Sequence, residues 1–317
     1  GQEESFAREL EKLAFVNYAE RIPVMRPTLE PNDLGPASGA GNQYSLWLID
    51  APQAWDINTG NTEVKVAVVD DAVLTTHPDL IPNLISGFDV ADDDADPMPN
   101  EPAMSHGTHV AGIIGAATDN GEGISSIGYN LKILPVKSSN QSEVVTDAYA
   151  GVVWAAENDA DVINMSWGGS GFSQTGQDII DYAYDLGCVN VAAAGNDGVD
   201  QVFYPAGYDN VISVASTTAS DTKSGFSNYG TWVDISAPGS QILSTYIGGN
   251  FLPEYANNSG TSMASPLVAG LAGLVLSVNT EMSQLQVENC ILDNADNIDA
   301  QNPGFLGELG AGRINAH

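Results

Sequence analysis

From residue 64 onward, short apolar runs recur along the chain and longer mixed segments separate them. Val64-Lys65-Val66-Ala67-Val68-Val69 is nearly unbroken in its hydrophobicity, as expected of a strand covered on both faces of a parallel sheet. Asp161–Met165, Val189–Ala193 and Val211–Ala215 repeat the pattern. Between them Thr146–Asn158 and Gln177–Leu186 have helical spacing, and Ser283–Asp293 predicts a late helix. Strand, helix, strand in repetition predicts an α/β fold whose mostly parallel sheet is flanked by helices. The richest run, Leu267–Val278, has the length of a buried core helix. No stretch of 18 apolar residues occurs, so no bilayer span is expected.

The first 43 residues or so break this rhythm. Ser5 can cap a short helix over Phe6–Leu13, and Ala14–Ala19 is strand-like. Arg21–Gly41, with Pro23, Pro27, Pro31 and Pro36, is spaced as an extended linker. Gln2-Glu3-Glu4 is acidic where a signal peptide needs basic residues, so an export signal has been removed or never existed.

Charge narrows the partners. The 317 residues carry 9 Lys and Arg against 41 Asp and Glu, a formal charge of -32. Nucleic acid and anionic membranes need clustered Lys and Arg, so neither is an expected partner. An apolar fraction of 43% excludes a disordered chain. Cys188 and Cys290 cannot form a disulfide framework, so the core or bound metal must supply stability.

Three segments carry chemistry. Asp70-Asp71 follows the first apolar strand, where α/β sheets present functional groups. Ser105-His106-Gly107-Thr108-His109 opens a helix of small apolar residues. Gly260-Thr261-Ser262-Met263-Ala264-Ser265-Pro266 opens another, with Pro266 expected in its first turn. A serine at a helix start has an exposed hydroxyl beside N–H groups suited to an oxyanion. An imidazole can take its proton, and a carboxylate can orient that imidazole. Singly, the Asp and Ser are ordinary caps and the His a structural residue. His106 and His109 could also share a metal, although no third ligand is suitably spaced.

Together, in the order Asp, His, Ser, these segments resemble the subtilisin-like serine proteases (subtilases), most closely the thermitase-like branch, from about residue 29 to the C-terminus. The resemblance implies the three-layer subtilisin-like fold and a secreted serine endopeptidase acting on protein or peptide substrates. It implies Ser262 as nucleophile, His106 as general base then acid, and Asp70 as orienting carboxylate, with Asp71 the neighbouring competitor. Ala192-Ala193-Ala194-Gly195-Asn196 is similar to the family's oxyanion strand, making Asn196 the side-chain donor to the tetrahedral intermediate. In subtilisin itself, losing such a donor costs about 10²–10³ in turnover.

The same resemblance places substrate binding on Ser166, Trp167 and Gly168, whose backbone would pair with an extended peptide, and on Ala193 and Gly195. Phe203 falls where relatives often carry a small residue at the base of the primary specificity pocket, and a shallow pocket follows. Asp197, near the pocket mouth, could instead attract a basic side chain. Ala72 and Leu267 replace the family's usual Gly and His, and local repacking is expected at both.

Structural Ca²⁺ is the implied cofactor, at two or more sites. The alternating carboxylates Asp89, Asp92, Asp94 and Asp96 form one candidate loop. Asp33, Asp79 and the loop Ala117–Ile124, with Asn120 and Glu122, form the other. Glu11–Glu20 resembles the end of the family's inhibitory propeptide, so residues 1–27 read as a propeptide remnant or an N-terminal extension, and 28–317 as the catalytic domain. The chain's own propeptide is then a partner, and a monomer is expected. Two competing functions remain at this point: a silent peptide-binding module of the same fold, and a zymogen gated by its propeptide. Cys188 and Cys290 read as buried free thiols, with a bridge the alternative.

Overall fold

The structure, a computed structural model, describes residues 9–10, 12–13, 16–19, 29–142 and 144–317. The helix and strand expected over 6–19, and the boundary at residue 27, lie largely outside the described residues. Residues 29–43 run as turns and bends, in keeping with the expected linker. The elements are then α1 (Tyr44–Leu48), α2 (Ala51–Trp55), β1 (Lys65–Asp70), β2 (Phe88–Asp89), α3 (His106–Gly115) and β3 (Lys132–Lys137). α4 (Ala148–Glu157), β4 (Val162–Met165), α5 (Gln174–Asp185), β5 (Val189–Ala193), β6 (Ile212–Thr217) and β7 (Ile235–Pro238) follow. The chain continues through β8 (Ile242–Ile247), β9 (Pro253–Asn258), α6 (Thr261–Val278) and α7 (Gln284–Asp293).

Seven strands form one sheet in the order β2-β3-β1-β4-β5-β6-β7. Every pairing in it is parallel. Successive residues of β1 feed opposite faces: Val66 and Val68 join the core under α3 and α6, while Ala67 and Val69 join the core under α4 and α5. That division is why the strand reads as an unbroken apolar run. α7 starts at a reciprocal capping box between Ser283 and Gln286, the device that makes a helix start legible in sequence.

α6 is the central helix. It packs on β4, β5, β6 and β7 and on α3. Its length and hydropathy would suit a bilayer, but 78% of it is buried inside the protein. Pro266 lies at its sixth position, in the second turn and not the first. The ring therefore removes the hydrogen bond that would have closed on the carbonyl of Ser262.

β8 and β9 form an antiparallel hairpin outside the main sheet. Ser244 Oγ donates to His109 O and Thr245 Oγ1 to Thr108 O, both at 2.7 Å, so the hairpin is fastened to α3. Two buried histidines complete the attachment. His77 Nε2 donates to Glu254 O at 3.1 Å and His109 Nε2 to Ala256 O at 3.0 Å. Burial pushes the pKa of both down, His109 to about 4. His109 is therefore a neutral structural donor, with Nε2 committed to Ala256 O while His106 Nδ1 is committed to Asp70. Cys188 and Cys290 are both free thiols. Burial pushes the Cys188 thiol up to about 12, so it is not nucleophilic.

Candidate active site

β1 lies between β3 and β4, so the strand order reverses across it and a crevice opens at its carboxyl end. Val69 is level with Met165, and Met165 with Ala192. Asp70, Ser166 and Ala193 therefore emerge side by side. His106 opens α3, and its Nδ1 meets Asp70 Oδ1 at 2.7 Å. Burial of the imidazole works against its charge, but Asp70, with Asp71 adding, outweighs it and holds the His106 pKa above its ordinary value. The side chain of Asp70 is 1% exposed and that of His106 36%, so the carboxylate is shielded while the ring faces the cleft. Between the two adjacent acids the geometry selects Asp70 as the imidazole's partner.

Ser262 is the second residue of α6. Its Oγ donates to Ser166 O at 3.0 Å, and Ser166 Oγ donates back to Ser262 O at 2.9 Å. The second bond uses the carbonyl that Pro266 leaves open. Asn164 Nδ2 donates to Ser166 Oγ at 2.9 Å, while Ser265 Oγ donates to Asn164 Oδ1 at 2.8 Å. A buried polar relay thus joins β4 to the first turns of α6. Sequence reasoning missed Asn164 as a member of it. The available signal was a lone amide inside the apolar run Val162-Ile163-Asn164-Met165, since a buried amide requires partners.

Asn196 Oδ1 accepts from Thr261 N at 2.8 Å and from Thr261 Oγ1 at 3.0 Å. Its oxygen is committed, so its NH₂ is the end left for a ligand. A point one bond from Gly260 Cα, where a β-carbon would sit, lies 3.6 Å from both Asn196 Nδ2 and Ser262 N. The two donors border one small region at the head of α6. Thr261, which anchors the amide, was also missed, because a threonine at a helix start reads as an ordinary cap.

The cleft beside these residues encloses about 920 Å³ and is lined in part by Asp70, His106, Tyr149, Trp167, Gly168 and Gly169. Trp167 turns inward, donating from Nε1 to Val69 O at 2.8 Å and meeting Tyr149 edge-on. Gly169 and Tyr204 exchange backbone hydrogen bonds at 2.8 and 2.7 Å, tying the segment after β4 to the Phe203 turn. The Phe203 ring lies between two glycines. A β-carbon on Gly168 would fall 2.5 Å from Phe203 Cε1, and one on Gly195, whose φ is +99°, would fall 2.9 Å from Phe203 Cγ.

The candidate cation ligands separate into two groups. Asp79 is buried, with Oδ1 accepting from Asn120 Nδ2 at 2.9 Å and Oδ2 from Ile124 N at 3.1 Å. Asp33 accepts from Asn120 N at 2.7 Å and Ser125 Oγ at 2.6 Å. Ala117 N donates to Asp79 O and Glu122 N to Asn120 Oδ1, both at 2.7 Å. All six expected positions are thus drawn into one cluster. Burial pushes Asp79 up to about 6 despite its donors, and nearby Asp33 adds to that shift. A buried carboxylate with an acidic neighbour is the donor set a hard cation suits.

The other loop is less convergent: Asp89 pairs with the buried Lys137 at 2.5 Å, while Asp92 accepts from Asn140. Asp94 and Asp96 accept from the backbone N–H groups of Asp96 and Met98. Among the described residues, no three His, Cys, Asp or Glu side chains converge as a metal-binding group.

A parallel sheet that offers an Asp, a His and a helix-borne Ser at one edge, in that chain order, is the ground plan of an α/β serine peptidase. The model of the subtilase family matches residues 61–312, and the chain belongs to that family. It is 41% identical to thermitase of Thermoactinomyces vulgaris over 280 residues, covering 88% of this chain and 95% of that one. A halolysin-like extracellular serine protease of Natrialba magadii is 36% identical over 99% of this chain and 57% of its own length. Among solved structures, a protease of Pseudoalteromonas arctica superposes with a TM-score of 0.81 at 31% identity, covering 90% of this chain and 97% of that one. The chain is a subtilisin-like serine endopeptidase of the thermitase-like branch.

Proposed function

We propose that Ser262, His106, Asp70 and Asn196 carry out peptide-bond hydrolysis through an acyl-enzyme. The observation that carries this reading is the 2.7 Å contact of His106 Nδ1 with Asp70, at the same sheet edge as Ser262. An extended peptide adds alongside Ser166–Gly169 by backbone pairing. The Ser262 hydroxyl leaves the Ser166 carbonyl and turns to His106 Nε2, a tightening that apo sites commonly require. Nε2 takes the proton as Oγ bonds to the scissile carbon, and the carbonyl electron pair moves onto oxygen. Ser262 N–H, at the positive end of α6, and Asn196 Nδ2 receive that oxyanion. On collapse the C–N bond breaks and His106 returns the proton to the leaving amine. Water, deprotonated in turn by His106, releases the acid. Throughout, Asp70 holds the Nδ1–H tautomer and stabilises the imidazolium.

A serine-directed phosphonylating reagent is expected to stop casein hydrolysis with one adduct per molecule, mapped by peptide mass spectrometry to Ser262. An adduct elsewhere, or hydrolysis that continues after full labelling, overturns the assignment.

Residues 1–27 are read as a remnant of the inhibitory propeptide, or a permanent N-terminal extension, and 28–317 as a monomeric catalytic domain. Secretion is the proposed location, in keeping with the extracellular serine protease of Natrialba magadii to which the chain is similar. The Phe203 ring narrows the specificity pocket towards small side chains.

Calcium is assigned to Asp33, Asp79, Ala117, Asn120, Glu122 and Ile124, with a second, more open site over Asp89, Asp92, Asp94 and Asp96. Bound there, Ca²⁺ supplies charge compensation and a cross-link between the N-terminal segment and the loop after α3. A chelator is expected to lower the melting temperature by several degrees. A ligand held at 100 times its Kd contributes about 2.7 kcal/mol. Scanning calorimetry with and without chelator checks this, and Asp79→Asn should remove most of the difference. An unchanged melting temperature counts against both sites.

A further inference from the structure

Asp71, the second acid of the pair, contacts the catalytic machinery without being assigned any role in it. Its side chain is buried at the end of β1. Oδ1 accepts from Ala72 N at 2.6 Å and from Gly107 N at 2.8 Å, and Oδ2 accepts from His106 N at 3.3 Å. Two of those donors are the first N–H groups of α3. Ser105, at the N-cap position of that helix, makes no side-chain capping bond. A carboxylate from another element therefore fills the place a cap normally takes, at the end of the helix that favours negative charge. Its own backbone N–H meanwhile donates to Asp70 Oδ1 at 2.8 Å, the same oxygen that receives His106 Nδ1. Close approach makes this possible: a β-carbon on Gly107 would lie 2.9 Å from Asp70 Cβ and 3.1 Å from Asp71 Oδ1.

We propose that Asp71 is a positioning residue, which docks the start of the His106 helix onto the strand bearing Asp70 and so sets the distance and charge balance of the acid–base pair. Its backbone holds the acid and its side chain holds the segment carrying the base. The proposal rests on the catalytic reading given above. The titratable groups facing its carboxylate among the described residues are Asp70 on β1 and His106 on α3. Burial first, and then the charge of Asp70, push the Asp71 carboxyl well above the ordinary carboxylate range. Once ionised, it adds to the negative field that raises His106.

His106 must be neutral to accept a proton, so activity rises as pH passes its pKa. Removing the Asp71 charge lowers that pKa and moves the acid limb of kcat/KM to lower pH, by about one unit.

Two variants test this on enzyme titrated by Ser262 labelling, so that a failed catalytic reading would show as absent labelling in the wild type. Asp71→Asn keeps an oxygen for the Ala72 and Gly107 N–H groups. It is expected to retain kcat within a few-fold at alkaline pH, with the acid limb displaced downward. Asp71→Ala loses the docking and should lower kcat by about tenfold with KM little changed, the cost of a displaced base. An Asn variant whose acid limb coincides with wild type, or an Ala variant with full kcat, overturns the proposal. So does an Ala variant that changes KM alone, which would place Asp71 in substrate binding.

Discussion

Ser262→Ala lowers kcat by about 10⁶, the magnitude that loss of the nucleophile carries in subtilisin itself. The methyl group cannot form the acyl bond, and His106 is left with no nucleophile to deprotonate. Asn196 and the head of α6 remain, so residual activity about 10³ above the uncatalysed rate persists. KM should change little, because the Ser166–Gly169 backbone and the cleft walls are untouched. One structural consequence is separate from the chemistry. Ser166 O loses its hydroxyl donor, while Ser166 Oγ keeps the Ser262 carbonyl as acceptor. The fold should therefore tolerate the change. Active-site titration and casein hydrolysis on the purified variant decide the matter; activity within tenfold of wild type would remove Ser262 from the mechanism.

Phe203→Ala changes which bond is cut. With the ring present, the space between Gly168 and Gly195 is filled by Phe203 carbons, and a large side chain preceding the scissile bond has nowhere to go. Peptides with Ala or Ser at that position are therefore preferred by the wild type. Removing the ring opens a slot bounded by two glycine backbones, shaped for a flat ring. Burying a substrate Phe there is worth up to about 3 kcal/mol, which raises kcat/KM for aromatic peptides by about 10². Activity on Ala peptides should stay within a few-fold. A wild-type enzyme that already favours aromatic peptides in a library would overturn this reading. A preference for Lys or Arg would instead indicate recognition by Asp197 at the pocket mouth.

Strand ends and helix starts are legible in the sequence, while part of the sheet is not. Asn196, in the loop after β5, is legible only through the family resemblance, whereas Asp70, His106 and Ser262 each stand at a strand end or helix start, and that placement shows as a change in local hydrophobic pattern. The unbroken runs of β1, β4, β5 and β6 are legible for the same reason. β3 was not read as a strand, because Pro135 interrupts Lys132–Lys137 and proline argues against a strand paired on both sides. Only Val136 and Lys137 of β3 pair with the two-residue β2, so Pro135 precedes that ladder. β9 is not legible because Pro253, Glu254, Asn257 and Asn258 look like loop; it pairs with β8, and its Glu254 and Ala256 carbonyls are met by the buried His77 and His109, far away in sequence. The choice between Asp70 and Asp71 is a matter of side-chain direction, which one-residue spacing does not encode. Pro266 was placed a turn too early, and with it the reason Ser262 has a free carbonyl was hidden.

The helix that begins at Ser262 also occupies the centre of the molecule, covering β4 to β7. A chain emerging from the ribosome makes Asp70 and His106 well before it makes this helix. Until α6 is seated, one face of the sheet lies open and no nucleophile stands at its edge. Capacity to cut and resistance to being cut therefore arrive together. A copy still loose enough to be digested cannot yet digest its neighbours, and a copy that can is already closed.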